Sequence, residues 1–132
     1  LVKGDQDDVA AHRRFYDEYN AVIDLPAEYY LDTIRVVFQD HQLPQGLWNV
    51  HGKRVAPEDI RNVALFTIEG ELDDISGSGQ TQAALELCRA IPEQRKQHLT
   101  AMGVGHYGIF SGRRWRENIA PRITDFILAH DS

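Results

Sequence analysis

At 132 residues the chain is long enough for one domain with a real core, and 42% hydrophobic against 26% charged residues excludes a disordered composition. Twenty Asp and Glu against fourteen Lys and Arg give a net charge of −6, which argues against non-specific binding to nucleic acid or to an anionic membrane, since both need a basic face. No apolar stretch approaches the ~20 residues of a membrane span, and a single cysteine, Cys88, excludes a disulfide within the chain and fits a reducing compartment.

The chain opens on Leu1 rather than Met and is expected to be part of a longer protein. After the polar Gly4-Asp5-Gln6-Asp7-Asp8, helical spacing begins near Ala10, with Phe15, Tyr19, Val22 and Ile23 on one face. Asp24-Leu25-Pro26-Ala27-Glu28 reads as a break and restart. Asp24 is the expected cap, Pro26 suits the first turn, and Glu28 favours the positive helix start. A second helix follows, with Tyr30, Ile34, Val37 and Phe38 forming a packed face, and it ends before Leu43-Pro44-Gln45-Gly46. Residues 47–57 read as a connector with a short hairpin around His51-Gly52-Lys53.

Val63-Ala64-Leu65-Phe66-Thr67-Ile68 is a near-continuous apolar run, as in a strand buried on both faces of a parallel sheet. Ser76-Gly77-Ser78-Gly79 turns the chain into a helix with Ala84, Leu87, Cys88 and Ile91 inside. Gln97-His98-Leu99-Thr100 is a short second strand. Trp115, Ile119, Ile123, Phe126 and Ile127 then mark a last helix that Pro121 kinks or restarts. From 61 onward the order strand, helix, strand, helix predicts an α/β class, like the last two units of a doubly wound sheet.

Two segments carry the chemistry. Glu69-Gly70-Glu71-Leu72-Asp73-Asp74-Ile75-Ser76 follows the first strand, and Gly103-Val104-Gly105-His106-Tyr107-Gly108 follows the second. An acid and then a histidine, each after a parallel strand, is the order in which a Ser-His-Asp type hydrolase ends its chain. Asp73 accepts from one imidazole nitrogen and the other moves the proton. Gly103, Gly105 and Gly108 are expected to turn the loop at positive φ, with Gly105 and Tyr107 flanking His106.

Other readings stand beside this one. Asp73-Asp74 also suits a turn cap, and Asp74 is a rival acid that otherwise caps the loop or orients its neighbour. Asp73 is preferred as the third residue after Gly70, in a Gly-x-x-Asp turn. No Gly-x-Ser-x-Gly or Gly-x-Cys-x-Gly elbow occurs, so no nucleophile is assigned. Residues 103–108 match G-x-G-x-x-G, but no strand and acid follow as a dinucleotide site requires, and no cofactor is expected. Cys88 lies on an apolar helix face and reads as structural. His12, His41, His51, His98 and His130 are scattered without metal-ligand spacing, so no metal is expected. Arg113, Arg114 and Arg116 read as a solvated surface.

Together, Phe15-Tyr16-Asp17-Glu18-Tyr19, Asp24 to Leu31, Glu69 to Gly77 and Gly103 to Gly108 resemble the C-terminal region of intracellular polyhydroxyalkanoate (poly-3-hydroxybutyrate, PHB) depolymerases. The resemblance spans essentially the whole chain. It implies the C-terminal part of an α/β-hydrolase, with 1–60 a helical cap-like region and 61–132 the closing βαβα portion. It implies a serine- or cysteine-type esterase cleaving storage polyester at granule surfaces in bacterial cytoplasm, and it carries the acid onto Asp73 and the base onto His106. The family's nucleophile and oxyanion hole have no counterpart here, so the isolated chain is expected to be inactive. A synthase of similar fold is the nearest alternative, but synthases tend to follow the acid with His-Ile-Val-Pro, whereas Asp-Ile-Ser-Gly stands here. A non-catalytic granule-binding module is the other. An incomplete sheet would leave an edge through which the chain is expected to self-associate.

Overall fold

The computed structural model describes residues 9, 10, 12–14, 16, 17, 21 and 24–131. The chain divides into two compact units, Leu1–Leu43 and Pro44–Ser132. In the first unit, the expected face of Phe15, Tyr19, Val22 and Ile23 lies outside the described residues. Helix α1 spans Ala27–Thr33, with Pro26 at its N-cap and Glu28 in its first turn. Asp24 is therefore not the cap: the Pro26 carbonyl accepts the Tyr30 N–H at 3.2 Å, and no side chain caps the helix.

The helix then widens into a π turn, Ile34–Gln39, closed by the Asp40 N–H on the Arg35 carbonyl at 2.8 Å. This change of pitch defeats the predicted packed face. The i, i+4, i+7 spacing aligns side chains only at 3.6 residues per turn, and a π turn holds more. Tyr30, Val37 and Phe38 are exposed, and Ile34 alone of the four is half-buried. A single helical turn, Gln42–Gln45, follows.

The second unit begins with the predicted hairpin. Strands β1 (Asn49–Val50) and β2 (Lys53–Arg54) pair antiparallel, with Asn49 opposite Arg54 and Val50 opposite Lys53. His51 (φ 48°) and Gly52 (φ 73°) both adopt left-handed backbone, the geometry of a two-residue type I′ turn. Arg54 pairs with Glu58 at 2.6 Å, tying the hairpin to the 3-10 turn Pro57–Asp59.

Strands β3 (Leu65–Gly70) and β4 (Lys96–Ala101) are parallel neighbours, in register from Leu65 opposite Lys96 to Gly70 opposite Ala101. The strand expected at 63–68 thus lies two residues later. Val63 is exposed, while Glu69 and Gly70, expected to follow the strand, are buried within it. Side chains alternate along a strand, and the two faces differ in chemistry. One carries Ile68, Leu99 and Ala101 into a core with Val104, Ile109, Trp115, Ile119 and Ile123. On the same face Phe66 meets Phe126 at 5.1 Å between ring centres. The other carries Thr67, Glu69, His98 and Thr100, so the apolar run is not apolar on both sides.

Helix α2 covers only Ala83–Leu87, against an expected reach to Ile91. Cys88 leaves helical geometry (ψ 52°), and Pro92 disfavours helical backbone at Ile91 ahead of it. Cys88 and Ile91 are nonetheless buried, as their apolar spacing predicts. The last helix is broken as Pro121 requires. A short α3 (Gly112–Arg114) runs into a π turn (Trp115–Ile119), and α4 (Ala120–His130) restarts with Pro121 in its first turn. Proline offers no N–H to the carbonyl four residues back and its ring crowds it, so the helix widens there. Among the described residues no helix is long and apolar enough to cross a membrane.

Candidate active site

Because β3 and β4 are parallel, both chains leave the sheet at the same edge, and their loops are joined there. The Glu71 N–H bonds the Ala101 carbonyl and the Leu72 N–H bonds the Val104 carbonyl, both at 3.0 Å. The Glu71 carboxylate accepts the Gly103 N–H at 2.7 Å. Gly70 allows this approach, since a Cβ there would overlap the Val104 carbonyl oxygen. The glycines of the histidine loop act differently from expectation. Only Gly103 has positive φ (65°). Gly105 has φ −88°, open to any residue. Gly108 is needed for space, because a Cβ would lie 2.7 Å from the Val104 Cγ1.

Asp73 ends a turn in which its N–H bonds the Gly70 carbonyl at 3.2 Å, the expected Gly-x-x-Asp geometry. Its side chain is 1% exposed. One oxygen, Oδ1, accepts the N–H groups of Ile75 (2.9 Å) and Ser76 (2.8 Å), while Oδ2 lies 2.9 Å from the His106 Nδ1. The turn-cap reading and the histidine-partner reading are therefore both true of this one residue. Asp74, the rival, is exposed, and among the described residues it makes no hydrogen bond to His106.

The Ser76 N–H is the largest influence holding the Asp73 carboxyl below its ordinary range. The His106 ring and the Ile75 N–H add to it, against the opposing effect of burial. An ionised carboxylate only accepts, so the His106 Nδ1 carries a proton toward Asp73, and in the neutral ring that tautomer leaves the lone pair on Nε2. His106 sits at the start of a 3-10 turn, His106–Ile109, with its side chain 32% exposed. Tyr107 and Phe110 meet its ring edge-on, at 5.5 and 6.1 Å between centres. A buried acid and an imidazole oriented by it and partly open to solvent are what proton transfer to and from a reacting group requires.

A model described as "PHB de-polymerase C-terminus" matches residues 1–131. The chain belongs to that family. Membership of the PHB de-polymerase C-terminus family ties the chain to PHB depolymerisation, a hydrolytic activity of full-length proteins, with PHB polymer as substrate. Comparison with curated proteins and with solved structures gave no match.

Sequence reasoning missed one polar cluster, on the face of the β3–β4 sheet that carries Thr67 and Glu69. Glu69 is 2% exposed at the end of β3. His98, set aside as scattered, lies 2.9 Å from the Thr67 Oγ1 through Nδ1 and 3.1 Å from the Thr100 Oγ1 through Nε2. The available signal was two polar i, i+2 pairs, Thr67/Glu69 and His98/Thr100, in register on adjacent strands.

Arg113 pairs loosely with Glu117 at 3.8 Å on an exposed surface. A cavity of about 500 Å³ opens between the end of β4 and the last helix, walled by Leu99, Met102, Arg114, Asn118 and Arg122. Asp73 and His106 are not in its wall. Among the described residues no three His, Cys, Asp or Glu side chains converge as metal ligands.

Proposed function

We propose that the chain is the acid- and base-bearing part of an α/β-hydrolase-type esterase that cleaves PHB at the granule surface in the cytoplasm. The single observation that carries this reading is the 2.9 Å contact of a buried Asp73 with the His106 Nδ1. Family membership and the two parallel strands that place acid and histidine at one sheet edge support it. The serine or cysteine nucleophile is supplied from outside these residues, which hold no elbow motif.

In this scheme the His106 Nε2 takes the proton of the nucleophile as it adds to an ester carbonyl. The tetrahedral oxyanion collapses, the bond to the polymer alkoxide breaks, and the imidazolium protonates that alkoxide. His106 then deprotonates a water that attacks the acyl-enzyme, releasing the 3-hydroxyacid end and returning the proton to the nucleophile. Asp73 holds the productive tautomer and stabilises the imidazolium in both halves.

Release of 3-hydroxybutyrate from amorphous PHB granules by the full-length protein tests the scheme. Asp73→Asn is expected to lower the rate roughly 10⁴-fold, as for a triad acid that sets the tautomer, with His106→Ala at least as severe. Asp74→Asn is expected to stay near wild type. Full activity without His106 would overturn the assignment.

A further inference from the structure

Glu69 takes no part in the scheme above, yet it is a carboxylate with 2% exposure. A carboxylate is kept in such a place only where hydrogen bonds replace its water. Both of its oxygens accept the Gly79 N–H at 3.0 Å, and Oε1 also accepts the Ser78 hydroxyl at 3.3 Å. The His98 Nε2 lies 3.7 Å from Oε1. His98 is held by a threonine at each ring nitrogen. With both nitrogens engaged by threonines, its role is read as one within the sheet.

The placement matters because the bonded groups close a loop. Glu69 and Gly79 are ten residues apart, and Asp73 lies between them. Gly79 adopts φ 87°, a backbone that L side chains rarely take. Among the described residues, the backbone from 73 to 78 bonds within this loop through the Asp73 N–H on Gly70 and the Ile75 and Ser76 N–H groups on Asp73, and beyond it through the Gly77 carbonyl, which accepts the Gln80 N–H at 3.1 Å. The first half of the loop is fastened to the histidine loop through Glu71 and Leu72. The second half is fastened to the sheet through Glu69, and to the turn leading into α2 through the Gly77 and Gly79 carbonyls, which accept the Gln80 and Ala83 N–H groups.

We propose that Glu69 is a positioning residue, whose carboxylate ties down the far half of the 70–79 loop and so fixes Asp73 against His106. The proposal rests on the reading of Asp73 and His106 as acid and base. The charge state agrees with it. The Gly79 N–H, then the His98 ring and the Ser78 hydroxyl, hold the Glu69 carboxyl below its ordinary range although burial opposes this.

The test is Glu69→Gln, which keeps shape but removes the charge and one acceptor oxygen. In the 132-residue chain, proton NMR reads the downfield His106 Nδ1–H that bonds Asp73, with His106→Gln to assign the signal and urea unfolding to check the fold. The expected result is a folded variant in which that resonance is lost to exchange. In the full-length protein kcat is expected to fall about 10²-fold, as for displacement of a reacting group by about 1 Å, with KM for the polymer unchanged. A folded variant that keeps the resonance in place, or an unchanged kcat, overturns the proposal. Loss of the resonance together with full activity in Asp73→Asn overturns the catalytic reading instead, with the tether intact.

Should Glu69→Gln not fold, native-state hydrogen exchange of the wild-type chain decides. One common opening free energy for the Ile75, Ser76 and Gly79 amides supports the tether, and independent opening of Gly79 overturns it.

Discussion

Asp73 shows how one side chain serves two neighbours that sequence reading treats as alternatives. A carboxylate has about four lone-pair sites, so Oδ1 can close the turn on Ile75 and Ser76 while Oδ2 holds His106. Glu69 and Asp73 both have folded pKa values depressed below their ordinary 4.5 and 3.8. A depressed carboxyl stabilises the fold in full above its unfolded pKa, and that stability is lost as pH falls through the folded value. The chain is therefore expected to lose stability progressively below pH 4.5, read as a falling urea midpoint. Asp73→Asn should be less stable at neutral pH and show a shallower acid decline. A decline identical to wild type would remove Asp73 from this account.

At the scale of elements, the site depends on how closely the acid loop and the histidine loop approach. That approach is set by Gly70 against the Val104 carbonyl. Gly70→Ala must push the loops apart, and overpacking of this kind costs roughly 1–3 kcal/mol. The expected outcome is a urea-unfolding loss in that range with a weakened Asp73–His106 contact, visible as a shift of the Nδ1–H resonance. A variant matching wild type in both would mean that the loops yield without cost. The same scale explains why helix boundaries were read less well than strands. The π turns at Ile34–Gln39 and Trp115–Ile119 change pitch inside apparently continuous patterns, and a 3.6-residue template cannot register them.

For the whole molecule, the β3–β4 sheet has two strands, so the outer side of each strand has no strand partner among the described residues. Unpaired strand edges template further pairing. Leu72, Ile75, Met102 and Phe110, all in the loops at the end of this sheet, are also exposed. The isolated chain is expected to self-associate, seen by light scattering as a mass that rises with concentration. A monodisperse 15.0 kDa species would count against this.

Taken by itself, the amino-acid order determined the local features: the His51-Gly52 hairpin turn, the two strands after which acid and histidine fall, the proline restart of the last helix, and Asp73 in its Gly-x-x-Asp turn. Each depends on residues adjacent in the chain, where propensity and periodicity act. Only the tertiary structure decided that Asp73 rather than Asp74 meets His106, that Gly70 and Gly108 are there for space rather than for φ, and that Tyr30, Val37 and Phe38 face solvent. It alone revealed Glu69 and His98 as partners on one sheet face. These outcomes depend on strand register and on contacts between residues far apart in sequence, where a shift of one residue sends a side chain to the opposite face.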